Sequence, residues 1–382
     1  MQFGKTRSFF KEVVTVPAVF QKSYLPSLDG IRALSIIIVI IGHANQQLQK
    51  GKGVFYNKTL AEIFGYGSVG VQVFFVLSGF LITTLLIKEK LKTGTISLRN
   101  FYIRRALRIL PVAYLYLVCV MIIKQGFGAH PAHFAGAIIA SLFFVRNLVY
   151  RGEDIYYEGH YWSLSVEEQF YLLFPSFIKR SIRTYLVFLL ILIVLAFAVK
   201  LLNCNFIVAK TNVSLSFWVS FFDNFVPICI GALFSVLVFK NCINLSFLVK
   251  YKMVVMLFCI IVYYIVVNNS FRVPALDAIG YWFNHLLLSV LIGICIVANI
   301  EESRDVVFRV LNLPVIRSLG ILSYSIYIWQ QLFIFGDSPW VGVSSLFSNM
   351  YVNFSLLLII SYLSYHFYEK RFLKFKDRFK KI

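Results

Sequence analysis

Residues 185–199 read YLVFLLILIVLAFAV, fifteen consecutive side chains with no charge, proline or glycine among them. Residues 253–267, MVVMLFCIIVYYIVV, repeat the pattern. Each run falls a little short of the roughly 20 residues that cross a bilayer, and adjoining aromatic and small polar residues extend it to that length. Composition agrees: 59% of residues are hydrophobic and 14% charged, against about half and about a quarter in soluble domains. No hydrophilic stretch reaches the ~50 residues of an independent soluble domain. The reading is an all-α, polytopic membrane helical bundle, one domain over residues 1–382. Residues 1–24 form a basic N-terminal segment and 369–382 a basic tail.

Working outward, the apolar pattern gives ten crossings, near 30–46, 69–88, 107–124, 134–177 as one net crossing, 185–203, 216–239, 253–268, 280–299, 318–336 and 348–368. The formal charge of +20 sits between these spans and at the ends. KEKLKTGTISLRNFYIRRALR (88–108), KRSIR (179–183), the 240–252 loop, ESRDVVFR (302–309) and the tail are all basic, which assigns them to the cytoplasmic face together with both termini. Outer loops such as DSPWVGVSS (337–345) carry little positive charge. Both 134–150 and 163–177 are apolar, yet only one crossing fits between their basic flanks, so one of them is expected to be re-entrant or interfacial. Such backbone is tolerated where it lines a protein cavity. The first long apolar run begins after residue 30 and carries Arg32 and His43, so the N-terminus does not read as a cleaved signal peptide. Basic clusters lack interleaved exposed aromatics, which argues against nucleic acid. The six cysteines show no CxxC or Cys/His metal spacing and read as packing residues.

Three motifs carry polar chemistry into this apolar chain. LDGIRALSIIIVIIGHANQ (28–46) holds Asp29, Arg32 and His43; Arg32 and His43 are eleven positions apart, about three helical turns, and share a face. Ionisable groups inside a span normally face the bundle interior, and a histidine is the natural proton carrier near neutral pH. Alternatively, Asp29 and Arg32 pair at the membrane edge and His43 caps the other end. HYWSLSVEEQFYLLFP (160–175) places Ser163 on the face of Glu167. That glutamate is either a buried carboxylate that orients His43 or acts as a base, or a helix N-terminal residue beside a Ser163 cap. FYIRRALRILP (101–111) offers Arg104, Arg105 and Arg108 as forked phosphate ligands or as positive-inside anchors. In GSVGVQVFFVLSGFLI (67–82), Gly67, Gly70, Ser78 and Gly79 suit close helix packing rather than phosphate binding. His130 and His133 lack further metal ligands nearby, no metal is expected, and His285 and His366 read as core residues.

LDGIRALSIIIVIIGH, VGVQVFFVLSGFLIT, FYIRRALRILP, HYWSLSVEEQFYLLFP and LSYSIYIWQ (322–330) occur in that order. Together, over about residues 24–370, they resemble the signature segments of the acyltransferase family 3 integral membrane proteins. The resemblance lays the family's Arg-x10-His pattern on Arg32 and His43, its arginine motif on Arg104, Arg105 and Arg108, and its Trp-Ser-x-x-x-Glu motif on Trp162, Ser163 and Glu167. Tyr324 and Tyr327 belong to the late Tyr-x-x-Tyr-x-Trp segment. Where members often have histidine after it, this chain has Gln330, which sets aside a proton-carrying role there. The resemblance implies O-acylation, chiefly O-acetylation, of carbohydrate such as surface polysaccharide, lipopolysaccharide, peptidoglycan or exported oligosaccharide. It implies acyl-coenzyme A, acetyl-coenzyme A above all, as cytoplasmic co-substrate, no permanently bound cofactor, and a bacterial cytoplasmic membrane location. His43 with Arg32, Asp29 and Glu167 would be the catalytic set, Arg104, Arg105 and Arg108 would bind the donor, and Trp162, Ser163, Tyr324 and Tyr327 the substrate. No fused extracytoplasmic esterase-like domain is expected. The competing reading is a multi-span transporter of a glycan or small metabolite, which shares buried ionisable groups but more often shows internal pseudo-symmetry.

Overall fold

The computed structural model describes residues 13, 15–22, 24–25, 27–50, 67–126, 131–148, 157–203, 216–268, 277–334 and 349–379. His130, Cys204, the 337–345 loop and most of the basic N-terminal segment lie outside them. All regular structure among the described residues is helical. The main helices are α1 (Ser27–Lys50), α2 (Ser68–Thr93), α3 (Leu98–Gly126), α4 (Pro131–Leu142), α5 (Tyr161–Arg180), α6 (Ile182–Leu202), α7 (Ser216–Phe239), α8 (Lys252–Asn268), α9 (Asp277–Ala298), α10 (Pro314–Phe333) and α11 (Met350–Leu363). The last continues through a π-helical stretch, Ser364–Glu369, into α12 (Lys370–Lys376). Helices close every backbone hydrogen bond within the segment, which hydrocarbon demands.

Six described stretches are long and apolar enough to cross a membrane: Ser27–Gln46, Ser68–Thr93, Leu98–Ile123, Ile182–Leu202, Phe221–Phe239 and Met350–Phe379. Shorter apolar helices cover Lys252–Ile265 and Trp282–Ala298. Ten crossings are therefore not counted by length and composition alone. Two helices outside the six, α5 and α10, are each 20 residues long. Their sequences carry Glu167, Glu168, Gln169 and Lys179, and Arg317, Gln330 and Gln331, and those polar groups lower their hydropathy. With 12 residues, α4 rises only about 18 Å, against a hydrocarbon core of about 30 Å. It ends where Phe144 takes a left-handed φ of 52°.

The chain forms two compact units. The first takes residues 1–31, 72–96 and 173–313. Its tightest crossing joins α2 and α7 through two glycines. A Cβ on Gly79 would stand 2.0 Å from the Ile228 carbonyl oxygen, and one on Gly231 1.9 Å from that of Val76. Small residues let the backbones meet, and buried hydroxyls stitch the same helices: Thr84 to Ser235 at 2.8 Å, and Thr83 to Tyr185 of α6 at 2.8 Å. Gln72 donates to the His285 carbonyl and to Ser289 Oγ, both at 2.7 Å, and Lys200 meets Asp223 at 3.1 Å. Outside the spans, the buried Lys252 ammonium lies 2.9 Å from Asp305, which also accepts from Ser303 and caps the helix Val306–Leu311 through the Phe308 amide. Burial favours the neutral Asp305 carboxyl, but those three donors outweigh it and hold its pKa down at about 2.

The second unit takes residues 32–71, 97–172 and 314–382. It contains α3, α4, α10, α11 and the tail, with most of α1, the start of α2 and the first half of α5. Gly70 lets α2 meet α1, since a Cβ there would be 2.6 Å from the Ser35 carbonyl oxygen. The tail is tied down by Arg104, whose Nη1 donates to the Phe379 carbonyl at 2.9 Å. Glu369 accepts from Ser325 at 2.6 Å and Ser364 at 3.0 Å within the π-helical stretch.

Candidate functional site

The second unit is organised by one polar stripe on α10. Tyr324, Tyr327 and Gln330 follow at i, i+3 and i+6, so helical geometry stacks them on one face. Each reaches a different helix. The Tyr324 hydroxyl donates to the Ile109 carbonyl of α3 at 2.8 Å. Tyr327 shares a 2.5 Å hydrogen bond with Ser163 of α5. Gln330 Oε1 lies 3.2 Å from His43 Nδ1 of α1. An isolated apolar helix would gain nothing from these groups; here each hydroxyl or amide meets a partner that lipid cannot supply.

His43 is the ionisable end of this stripe. Its ring also packs against Gly67, whose φ of +94° is the left-handed conformation glycine alone adopts freely. A Cβ on Gly67 would stand 3.3 Å from His43 Cδ2 and 3.4 Å from Nε2, so the bare glycine leaves that edge of the ring uncrowded from its side. Gln330 is fully buried and its Nε2 has no hydrogen-bond partner among the described residues. A carboxamide oxygen has no proton to give, so Nδ1 of His43 is the donor in this contact and the ring's lone pair lies on Nε2.

A second imidazole stands beside the first. His160 is 3% exposed and close enough to His43 to feel its charge. Three tyrosine rings surround it: Tyr116 at 5.1 Å, Tyr161 at 4.9 Å and Tyr327 at 5.6 Å between centroids, all at steep angles. Its carbonyl accepts from Ser163 Oγ at 3.0 Å and from Tyr327 at 3.3 Å. Among the described residues neither ring nitrogen makes a hydrogen bond of ordinary geometry, and the Trp329 indole nitrogen, whose ring packs on Tyr116 at 5.6 Å, also lacks a partner. Buried donors without acceptors cost about 1–3 kcal/mol each.

The other end of the seam is cationic. Arg105 lies over the rings of Tyr171, 5.1 Å away, and Phe101, 5.8 Å away, with Glu168 and Glu167 within electrostatic reach. From Arg105 to Tyr116 is eleven residues of α3, about 16 Å along the axis. Between them the Tyr324 and Tyr161 hydroxyls bond the carbonyls of Ile109 and Ala113, at 2.8 and 2.6 Å. Those carbonyls flank Pro111, whose missing N–H interrupts the helical ladder. A polar seam thus leads from guanidinium to imidazole.

The expected site residues separate along this seam. His43, Ser163 and Tyr327 gather at the imidazole end, and Tyr324 and Arg105 lie toward the other. Glu167 lies within electrostatic reach of Arg105, Tyr324 and Tyr327, and Trp162 is half-buried on α5. Arg104 holds the tail carbonyl, and Arg108 lies within reach of Glu369. Arg32 stays on the continuous α1, about 16 Å from His43 along the axis. Asp29 belongs to the first unit and accepts from the Tyr24 hydroxyl at 2.5 Å. The contact that sequence reading passed over is Gln330. Its signal was present as the last member of the Tyr324–Tyr327 stripe, but its partner lies 287 positions away in the chain.

Comparison with known proteins gives a consistent picture. A family model for an acyltransferase domain, Acyl_transf_3, matches residues 25–366. A protein of Staphylococcus aureus strain COL, provisionally named an O-acetyltransferase, is 28% identical over 381 residues, covering 92% of this chain. The chain spans 58% of that relative's length. A protein of Listeria monocytogenes named peptidoglycan O-acetyltransferase OatA is 36% identical over 171 residues, 42% of this chain and 25% of its own. The O-acetyltransferase OatA of S. aureus strain NCTC 8325 is 38% identical over 178 residues, 43% and 26% of the two chains. No solved structure matches.

Proposed function

Because this chain belongs to the acyltransferase 3 family, we propose that it is a membrane O-acyltransferase moving an acyl group, acetyl in the first place, from cytoplasmic acyl-coenzyme A to a carbohydrate hydroxyl. The observation that carries this reading is the half-buried His43–Gln330 contact at 3.2 Å, joined by a polar seam to a guanidinium. An Nδ1–H tautomer gives the imidazole a lone pair at Nε2, the form a general base needs. Arg105 would attract the donor's phosphates, and the seam would carry its extended arm and thioester toward His43. The acceptor hydroxyl loses its proton to His43 Nε2 as its oxygen bonds the thioester carbonyl carbon. The carbon–sulfur bond then breaks, and the departing coenzyme A thiolate takes that proton back. Names of relatives that include peptidoglycan O-acetylation support a carbohydrate of the cell envelope as acceptor.

The test is His43→Ala at matched abundance in the membrane. Ester-linked acetate released by mild alkali from envelope carbohydrate of expressing cells should fall to the level of cells lacking the gene. Acetylation near that of the unaltered protein would remove His43 from the chemistry.

A further inference from the structure

We propose that Lys200, Asp223 and His285 form a second polar site, inside the first unit, that takes an uncharged, hydroxyl-rich segment of the acceptor carbohydrate away from the hydroxyl that is acylated. The inference deepens the proposed reaction and rests on carbohydrate as its acceptor. Four helices meet here. Lys200, in the last turn of α6, reaches Asp223 of α7 at 3.1 Å, and both side chains keep 18% of their surface accessible. His285 of α9 is close enough to Lys200 to feel its charge. Gln72 of α2 fixes that stretch of α9 by donating to the His285 carbonyl and to Ser289 Oγ, both at 2.7 Å. Three residues before Lys200 and His285, the rings of Phe197 and Trp282 pack with centroids 4.9 Å apart. One turn deeper, Ala196 of α6 and Val226 of α7 belong to a buried apolar core against which Leu286 and Val290 of α9 pack.

The cluster does not use all of its polar atoms internally. Asp223 Oδ1, His285 Nδ1 and Trp282 Nε1 are buried and make no hydrogen bond among the described residues. Ionisable groups inside a span are costly and commonly mark a substrate path. The chemistry of these atoms selects the ligand. Lysine and aspartate cancel, so the pair offers no net attraction to either an anion or a cation. A carboxylate oxygen only accepts and an indole N–H only donates, whereas a sugar hydroxyl does both. One kind of group therefore satisfies all three atoms. A phosphate or carboxylate ligand would set its charge against Asp223 Oδ1, and an ammonium ligand would meet Lys200. The basic segments 179–183, 240–252 and 302–309 adjoin the opposite ends of α6, α7 and α9. With those segments cytoplasmic, the cluster lies in the outer half of its unit, the side on which an envelope or exported carbohydrate is found.

The test reads binding without the acyl donor. Protein purified into nanodiscs of phosphatidylcholine, whose headgroup has no hydroxyl, would be titrated with the neutral oligosaccharide fraction released from envelope carbohydrate of cells lacking the gene. Ligand-observed NMR follows Kd. The unaltered protein should bind. Asp223→Asn keeps the shape and one acceptor but loses the charge. Hydrogen bonds to a charged group are about twice as strong as neutral ones, so Kd should rise about tenfold. Trp282→Phe keeps a ring to pack on Phe197 and loses the N–H, and Kd should rise about two- to tenfold. An ion pair that only held helices together would lower the thermal midpoint of Asp223→Asn and leave the Kd of the folded fraction unchanged. That result, or no binding by the unaltered protein, would overturn the inference. Should Asp223→Asn fail to fold, Trp282→Phe decides, an unchanged Kd again counting against the site. His43→Ala run in parallel separates the two levels: it should bind the oligosaccharides like the unaltered protein while losing transfer. Transfer retained by His43→Ala removes the base and leaves the binding result standing, whereas absent binding beside an inactive His43→Ala removes only this site.

Discussion

Arg105 illustrates what a single residue acquires from its neighbours. Read along the chain, the three arginines 104, 105 and 108 are equivalent candidates for phosphate contact. In the folded unit Arg104 gives an N–H to Phe379, Arg108 lies within electrostatic reach of Glu369, and Arg105 lies against Tyr171 and Phe101. Lysine keeps the charge of Arg105 but loses the planar fork and its stacking. Charge-assisted contacts contribute about 1.5–3 kcal/mol, so Arg105→Lys should raise KM for acetyl-coenzyme A about 10- to 100-fold in donor titrations of purified protein in nanodiscs. Arg104→Lys should leave KM within about twofold and instead lower the thermal midpoint through the loosened tail. A KM for Arg105→Lys within about twofold would confine Arg105 to a topological role. The residue type was legible in FYIRRALRILP; the division of labour was not, because it depends on a tail carbonyl 275 positions away.

At the scale of elements, the α2–α7 crossing depends on the absence of two side chains. A Cβ on Gly231 would sit 1.9 Å from a backbone oxygen that a helix holds in place, so Gly231→Ala must push the helices apart. Overpacking of this kind typically costs about 1–3 kcal/mol, more than the about 0.5–1 kcal/mol that alanine gains over glycine inside a helix. Gly231→Ala should therefore lower the midpoint of detergent-induced unfolding. Gly136→Ala on α4, where a Cβ would meet nothing within 4 Å, should leave it unchanged or raise it. Equal midpoints for the two would contradict the close approach. Sequence reading placed small residues on α2 for close packing, and Gly79 fulfils that. It named no partner, since Gly231 lies in an apolar run that looks like any other.

For the whole molecule, the arrangement of basic segments remains the strongest global statement. With both termini cytoplasmic, single cysteines at residues 10 and 378 on a cysteine-free background should react with an impermeant maleimide only after the cells are opened. Labelling of either in intact cells would invert the orientation and put Arg105 on the wrong face for a cytoplasmic donor. The same experiment at the ends of α4 and α5 tests the even crossing count required between Arg108 and Lys179. The 12-residue α4 is the segment whose length fits an element that does not cross.

What the sequence determined by itself is whatever depends on local periodicity and solvent. Uninterrupted apolar runs require helices, charge asymmetry sets their expected orientation, and the helical repeat puts Arg32 with His43 and Tyr324 with Tyr327 on common faces. Tertiary structure decided which of those faces meet. His43 meets Gln330 of α10, whereas Arg32, on the same face of α1, stands about 16 Å away along the axis. Glu167, which the sequence left open between a role beside His43 and a helix N-terminal position, lies on α5 within electrostatic reach of Arg105 and Tyr327. Spacing within a helix is fixed by backbone hydrogen bonds and can be counted in advance. Contact between helices is set by the packing of side chains far apart in the chain, and only the folded units supply it.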